Sequence, residues 1–366
     1  MFSLYTYSYY MNEKNEDKRS KKLMAGLKSF IYTKIKVIVL FTVAICLAFY
    51  LGQRLDQKKI LSGQVVKENR NPDDRFSLIN PLLTCEVTGK KNSLEFLPIK
   101  NKINSLISKA VNNRQASYIS VYMDTRDGEW MGINTDERYS PASLLKVANM
   151  ITVLKAAESD QKLLQEIILD NIPSDLNGIE YFKAKKKIVA KHPYTVDELL
   201  EQMIIYSDNN TVPLLLGLFD SDQIKEVYTD LGLTIPEGPN SGAVDFMTVK
   251  EYANFFRVLY NATYLNRSMS QKAMELLAKS DFPNGIRAGL PPTIKIAQKF
   301  GERSFTDNPL DDGKKELHDC GIIYYPKHPY LLCIMTRGNN FDNLNKNITD
   351  ISAAIYNFID KKYQPK

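Results

Sequence analysis

Histidine, cysteine and tryptophan are scarce: among 366 residues the chain holds three histidines, four cysteines and one tryptophan. The cysteines form no Cys-x-x-Cys pair, so the common zinc-binding spacings are absent. No Gly-x-Ser-x-Gly motif is present to expose a serine, which argues against a Ser-His-Asp triad that uses His318 and Asp319. We therefore expect no metal ion and no cofactor.

The chain also lacks a strong excess of one charge beyond its N-terminus. Its net charge is +6, and residues 1–36, with eight Lys/Arg and three Asp/Glu, carry +5 of it. Only +1 is left for the rest of the chain. Because a nucleic-acid-binding domain concentrates basic residues on its folded part, we expect no nucleic-acid partner.

A single apolar run, at residues 37–52, contains no charged residue and is flanked by Lys34, Lys36 and Arg54. A transmembrane helix needs about 20 residues, so this run is slightly short, but flanking Lys and Arg side chains can extend it. A cleaved signal peptide is the competing interpretation, although no small-x-small cleavage site follows the run. We predict a retained transmembrane anchor at 37–52, after a short basic cytoplasmic tail at 1–36.

The folded domain is expected at 93–366, after a polar linker of mixed charge at 53–92. Periodicity and turn residues predict strands, then a long helical middle, then strands and a closing helix. The predicted helices cover 99–112, 142–158, 195–206, 212–219 and 348–363, and the predicted strands cover 117–124, 129–133, 297–301, 320–325 and 330–336. We expect strands from both ends to share one antiparallel sheet flanked by helices, with the helical middle as a second lobe.

Two of the cysteines, Cys320 and Cys333, fall in consecutive predicted strands. We expect them to be small core residues rather than a disulfide, because the geometry of a cross-strand bridge is demanding. The cysteines therefore do not settle the compartment.

Two segments match the pattern Ser-x-x-Lys, which places a hydroxyl and an amine on one face of a helix. A serine hydroxyl becomes a nucleophile when an adjacent base takes its proton. Ser140 is a suitable N-cap for the helix at 142–158, whose first turn would carry Ser143, with Lys146 three residues later. The second match, Ser159 with Lys162, falls at the polar far end of this helix and is expected on the surface.

Three short motifs follow one another in a fixed order: Ser143-x-x-Lys146, then Ser207-Asp208-Asn209, then Lys299-Phe300-Gly301. This order resembles the serine β-lactamase and penicillin-binding protein superfamily, whose motifs are S-x-x-K, S-D-N and K-T-G. The surrounding sequence is similar to class A β-lactamases from about residue 93 to the end. The resemblance implies an α/β (α+β) fold of the β-lactamase/transpeptidase type.

The resemblance also implies roles for individual residues. Ser143 would attack a carbonyl carbon, and Lys146 would accept the serine proton. Ser207 and Lys299 would carry the proton to the leaving nitrogen and hold a substrate carboxylate, while Asn209 would bind the amide side chain of the substrate. The backbone N–H groups of Ser143 and of Glu302, the residue after Gly301, would form the oxyanion hole, in which one donor contributes about 2.7–4 kcal/mol.

Two departures from the family pattern affect substrate binding and release. Phe300 stands where the family has a hydroxyl that helps to hold the substrate carboxylate, and Arg303 could take over that task. Class A enzymes also carry a glutamate after S-D-N that activates the deacylating water. Glu237 is the only acid in residues 233–244, but its spacing differs from the family's, so we expect an ordinary loop residue and a long-lived acyl-enzyme.

The expected function is that of a serine acyl-transfer enzyme acting on β-lactams or on the stem peptides of peptidoglycan. These compounds lie outside the cytoplasmic membrane, so we expect a single-pass membrane protein with an extracytoplasmic catalytic domain. A membrane-anchored protein that binds cell-wall peptides at a degenerate site, without turnover, is the alternative. The oligomeric state is not indicated by the sequence.

Overall fold

The structure is a computed structural model that describes residues 34–36, 39–45, 47, 62–70, 75–125, 129–169, 174–178, 180–236, 244–306 and 313–364. Residues 64–366 form one compact unit and residues 1–63 another. None of the described helices is both long and apolar enough to cross a bilayer. Residues 37–38, 46 and 48–52 of the predicted anchor lie outside the described residues, so the anchor stays a prediction.

The described strands and helices alternate along the chain much as the sequence pattern predicts. In chain order they are β1 Ser62–Arg70, β2 Leu82–Asn92, α1 Leu97–Asn112, β3 Tyr118–Asp124, β4 Trp130–Ile133, β5 Arg138–Tyr139, α2 Leu145–Ser159, β6 Ile167–Leu169, β7 Pro193–Thr195, α3 Val196–Ile205, α4 Thr211–Leu216, α5 Ser221–Asp230, β8 Met247–Thr248, α6 Val249–Asn261, α7 Arg267–Ala278, α8 Gly285–Ala288, β9 Ile296–Ser304, β10 Lys315–Ile323, β11 Tyr330–Gly338 and α9 Phe341–Tyr363. Three 3-10 turns lie at Ser93–Phe96, Ala142–Leu144 and Gln161–Gln165.

The central sheet has the strand order β4-β3-β11-β10-β9, and all of its neighbouring strands are antiparallel. Strands from both ends of the domain therefore share one sheet, as predicted. Among the described strands, β9 lies at the edge of this sheet.

Two hydrophobic cores lie on the two faces of the sheet, because successive side chains of a strand point to opposite faces. On β11, Leu331 and Met335 face the core that includes the helices of the middle segment. Leu332 and Ile334 face a second core that includes α1 and α9. The predicted helical lobe is thus confirmed, and the sheet is covered on both sides.

Local sequence signals explain where α3 begins. The Thr195 side chain accepts a hydrogen bond from Glu198 N, and the Glu198 carboxylate accepts one from Thr195 N at 2.8 Å. This predicted capping box satisfies two of the N–H groups that a helix start leaves without partners. The helix ends at Ile205, and after Tyr206 the chain enters the turn at Ser207.

The helix that follows Ser143 begins later than the sequence predicts. Ala142 adopts a left-handed backbone with φ of 49°, and the chain forms a 3-10 turn before α2 starts at Leu145. Ser140 is not the N-cap, because Pro141 holds that position for the 3-10 turn and Leu144 holds it for α2. The predicted start at 142 is therefore wrong, and Ser143 lies on the 3-10 turn.

Regular structure already appears within the segment that the sequence predicts to be a linker. β1 and β2 form a two-stranded sheet. Between them, Leu78 is buried, its backbone N–H donates to Gln271 Oε1 at 3.0 Å, and its carbonyl accepts from Tyr324 Oη at 2.9 Å. Residues around Leu78 therefore pack on the domain.

Cys320 and Cys333 lie directly opposite each other on β10 and β11, and the structure joins them in a disulfide. The expectation of two unbonded core cysteines is therefore wrong. The register of β10 and β11 places the two cysteines opposite each other, with 4.1 Å between their Cα atoms. The sequence does not reveal this register, so it could not predict the disulfide.

Candidate active site

Ser143 lies half-buried on the 3-10 turn Ala142–Leu144. Two hydrogen bonds hold the chain just before this turn: Ser140 N donates to Glu316 Oε2 at 2.9 Å, and Ser140 O bonds His318 Nε2 at 3.0 Å. Glu316 and His318 are fully buried on β10. The turn that carries Ser143 is therefore attached to the sheet, and His318 has a structural role there.

Strand β9 runs directly beside this turn. A Cβ atom at Gly301 would stand 2.8 Å from Pro141 O and 3.0 Å from Leu144 N, so only glycine permits the approach. The backbone of β9 and the turn that carries Ser143 are therefore in contact. The two proposed oxyanion-hole donors, the N–H groups of Ser143 and Glu302, belong to these adjoining segments.

Lys146 is almost completely buried, and its amine points at the second motif. Its Nζ donates to Ser207 Oγ at 3.2 Å, to the Ser207 carbonyl at 2.5 Å and to Asn209 Oδ1 at 2.6 Å. These contacts join the first two motifs, which are far apart in the sequence. The amine is thus oriented by groups of the Ser207 turn.

Lys299 joins the third motif to the same hydroxyl. Its Nζ donates to Ser207 Oγ at 2.8 Å, and its side chain is fully buried. Ser207 has a left-handed backbone with φ of 60°, a conformation in which the hydroxyl reaches both amines. One hydroxyl therefore lies between the amines of Lys146 and Lys299.

The turn around Ser207 is held by Asp208. The Asp208 carboxylate accepts hydrogen bonds from Asn177 Nδ2 at 2.7 Å, Ile188 N at 2.7 Å and Asn210 N at 3.0 Å. These contacts satisfy the buried carboxylate within the turn. Asp208 thus fixes the backbone that presents Ser207 and Asn209.

Burial makes both amines weaker bases than lysine in water. Burial lowers the pKa of Lys146 to about 8, although the charges of Glu180, Asp208 and Glu302 oppose the change. Burial and the positive charge of Lys146 lower the pKa of Lys299 well below its usual value. A lysine with a pKa near 8 exists partly as the neutral amine at neutral pH, and the neutral amine can accept a proton.

Phe300 and Arg303 make contacts that the sequence does not reveal. The Phe300 ring stacks on Phe282, with 3.9 Å between centroids, and Lys299 Nζ lies 4.5 Å from the Phe300 centroid. Phe300 therefore contacts the Lys299 amine through its aromatic ring. The Arg303 guanidinium lies over Phe305, 5.2 Å from the ring centroid. That Arg303 holds the substrate carboxylate in place of the missing hydroxyl stays a prediction.

One acidic residue of the site, Glu180, was missed by sequence reasoning. Its Oε1 accepts a hydrogen bond from Asn209 Nδ2 at 2.7 Å. It precedes Ser207 by a long stretch and belongs to no motif, so the sequence holds no signal that would have found it. Glu237, the acid that the sequence did single out, lies outside the described residues.

A second acid, Glu302, lies beside the same segment. Its Oε1 accepts a hydrogen bond from Phe182 N at 2.9 Å. Burial raises the pKa of Glu302 to about 7, and the charge of Glu180 acts in the same direction. The cleft therefore combines two buried amines with acidic groups of raised pKa, which is an arrangement suited to proton transfer.

A family model supports this interpretation. The model described as the β-lactamase enzyme family matches residues 98–359. The match begins inside α1 and ends inside α9, and it includes all three motifs. No curated protein matches the chain.

Solved structures share the fold. A mutant of PBP-A, solved as an acyl-enzyme complex with penicillin G, is 19% identical, with a TM-score of 0.59 over 72% of this chain and 97% of its own. A class A β-lactamase from Mycobacterium abscessus is 19% identical, with a TM-score of 0.58, and the match covers 71% of this chain and 99% of that β-lactamase. A representative of class A β-lactamase from Bacteroides cellulosilyticus is 16% identical, with a TM-score of 0.61, and the match covers 72% of this chain and 99% of that protein.

Proposed function

Because the chain belongs to the β-lactamase enzyme family and is a serine hydrolase, we propose that it forms an acyl-enzyme on Ser143 with β-lactams or peptidoglycan stem peptides. The observation that carries the proposal is the Ser207 hydroxyl, which receives hydrogen bonds from the amines of both Lys146 and Lys299. A hydroxyl between two buried amines can receive a proton from one side and deliver it to the other. The leaving nitrogen of an amide or a β-lactam requires such a proton.

The proposed acylation has three parts. Neutral Lys146 removes the proton of Ser143 as the serine oxygen attacks the carbonyl carbon. The backbone N–H groups of Ser143 and Glu302 stabilise the negative charge on the carbonyl oxygen. The proton then passes through Ser207, with Lys299 beside it, to the nitrogen of the breaking C–N bond.

The acylation of the protein by penicillin G tests this proposal. After mixing, the intact mass should increase by the mass of one penicillin molecule, because addition of the serine to the β-lactam ring loses no atoms. The rate at which this mass disappears distinguishes a β-lactamase, which releases the product quickly, from a penicillin-binding protein, which does not. An unchanged mass at saturating penicillin would contradict the proposal.

Among the described residues of the cleft, no contact favours the alternative of a degenerate binding site. The nucleophile, both lysines and the Ser207 hydroxyl are present, and Phe300 contacts Lys299 without displacing it from Ser207. The enzyme interpretation therefore accounts for the geometry with fewer assumptions.

We also propose that residues 37–52 anchor the domain on the outer side of the cytoplasmic membrane, with residues 1–36 inside. The apolar run flanked by Lys and Arg supports the anchor, and the Cys320–Cys333 disulfide is typical of an oxidising compartment.

A membrane-impermeant thiol reagent applied to intact cells tests this topology. Cys85 follows the predicted anchor in the chain and should be labelled without lysis. Labelling of Cys85 only after the membrane is opened would place the domain on the cytoplasmic side. A Cys85→Ser variant identifies the labelled residue.

A further inference from the structure

We infer that the cleft takes substrates whose leaving group carries no carboxylate, and that Phe300 and Glu302 determine this preference. The inference rests on the proposed function and deepens it, because it names the substrate class of the same site. The favoured leaving group is neutral or cationic, such as the amine released from an internal peptide bond. The family motif K-T-G implies the opposite, a site that holds a carboxylate.

The Lys299 amine, which the motif assigns to a substrate carboxylate, is enclosed by other groups. The side chain is fully buried. Its Nζ donates to Ser207 Oγ at 2.8 Å and to the Phe300 carbonyl at 3.2 Å. The Phe300 ring also lies against the amine, with 4.5 Å between Nζ and the ring centroid. Ser207 and Phe300 therefore occupy the amine, which stays beside the proton path through Ser207.

Phe300 has no hydroxyl for a carboxylate, and other aromatic rings fix its position. It stacks on Phe282 with 3.9 Å between centroids. It also meets Phe182 edge-on, with 6.2 Å between centroids. This aromatic surface offers a carboxylate no hydrogen-bond donor, and an anion that loses water without gaining such a donor is destabilised. An apolar or neutral leaving group meets no such penalty.

Glu302 places a carboxylate on the same face of β9 as Phe300, because side chains two residues apart in a strand point to the same side. Its Oε1 accepts a hydrogen bond from Phe182 N at 2.9 Å. Its Oε2 is buried and has no hydrogen-bond partner among the described residues. A substrate carboxylate beside Glu302 would be repelled, whereas an N–H group would supply the donor that Oε2 lacks.

The charges around the Lys299 amine give little attraction for an anion. The groups that act on it are Lys146 on α2, Glu180 in the segment before α3, Glu302 on β9 and Asp319 on β10. Burial and the charge of Lys146 lower the pKa of Lys299 well below its usual value. Lys299 is therefore weakly charged, and three of the four groups that act on it are acids.

Arg303 is the residue that the sequence offered as a substitute for the missing hydroxyl. It lies on the face of β9 opposite to Phe300 and Glu302, because successive side chains of a strand alternate. Its guanidinium lies over the Phe305 ring, 5.2 Å from the centroid. A variant of Arg303 therefore belongs in the test.

Penicillin G and its methyl ester test the inference, because they differ only at the carboxylate. The purified full-length protein is mixed with each compound at pH 8, where Glu302, whose pKa burial raises to about 7, is mostly ionised. The acylation rate is followed by intact mass and divided by the rate at which hydroxylamine opens the same β-lactam ring. We expect the corrected rate with the ester to equal or exceed that with the free acid. A faster corrected rate with the free acid would overturn the inference.

Two variants should shift the preference toward the free acid. Phe300→Thr introduces the hydroxyl of the family motif and should change the ratio of the two rates by about 10–100-fold, the effect of one hydrogen bond to a charged group. Glu302→Gln removes the repelling charge, keeps the shape of the side chain and should shift the ratio in the same direction. The control Glu201→Gln changes an exposed acid on α3 that pairs with Lys279 and should keep the wild-type ratio. A wild-type ratio in Glu302→Gln, and in Phe300→Thr if this variant folds, would refute the assignment.

The experiment distinguishes a wrong substrate class from a wrong function. If neither compound adds mass to any of these proteins, the proposed function itself fails. If the free acid reacts faster with the wild type and Arg303→Gln abolishes this advantage, Arg303 holds the carboxylate. The substrate class inferred from Phe300 and Glu302 is then wrong, while acylation of Ser143 stands.

Discussion

Replacement of Ser143 by alanine is expected to abolish acylation by penicillin and to reduce turnover of any substrate by about 10⁶-fold, the scale found when a nucleophile that acts as part of a unit is removed. The reason is that, among the described residues, Ser143 is the one serine that lies on the turn beside β9 and is followed three residues later by a lysine with a buried amine. The measurement is the intact mass after mixing with penicillin G, together with the rate of β-lactam hydrolysis.

The control for this variant lies in the same chain. Ser159 and Lys162 repeat the spacing of Ser143 and Lys146, but both are exposed: Ser159 is the last residue of α2, and Lys162 lies on the 3-10 turn after it. Ser159→Ala should therefore be acylated like the wild type. A Ser143→Ala protein that keeps its fold and still gains one penicillin would show that another residue is the nucleophile.

Replacement of Lys146 by methionine has the second largest expected effect. Methionine nearly preserves the volume of the side chain but cannot accept a proton, so acylation should slow by about 10²–10⁴-fold. The wild-type acylation rate should rise with pH and level off above about 8, the pKa to which burial lowers Lys146. The acylation rate rises with pH because the reaction requires the neutral amine of Lys146. The fraction of this neutral amine falls tenfold for each pH unit below the pKa.

The matched control is Lys155→Met on the same helix. Lys155 is partly exposed and pairs with Glu158 at 3.0 Å, far from Ser207 in the chain, so acylation should be unchanged. Lys146→Met should also lose the rise of the rate with pH. Retention of the wild-type pH profile in Lys146→Met would mean that a different group accepts the serine proton.

The sequence predicts the parts of the site that depend on short motifs. The capping box at Thr195 and the polar Ser207 turn are local signals, so their positions could be read from neighbouring residues. The Ser143 pair could be separated from its copy at Ser159 because the sequence places the first in the opening turn of a predicted helix and the second at the polar far end of that helix. Hydrophobic periodicity and turn residues also predicted the shared sheet and the helical lobe.

The parts that sequence reasoning missed depend on long-range register. Cys320 and Cys333 pair because two strands align them, and Ala142 adopts a left-handed backbone where Gly301 and β10 hold the neighbouring turn. Glu180, which lies in the segment before α3, contacts Asn209 over a separation of 29 residues in the chain. No local pattern encodes such contacts.

The central claim is that the acyl group is carried by Ser143, within reach of a serine hydroxyl that lies between two lysine amines. Proteolysis of the penicillin-labelled protein, followed by fragmentation mass spectrometry, locates the acyl group directly. The account predicts that it is found on Ser143 alone. An acyl group on Ser207, on Ser159 or on a lysine would contradict it.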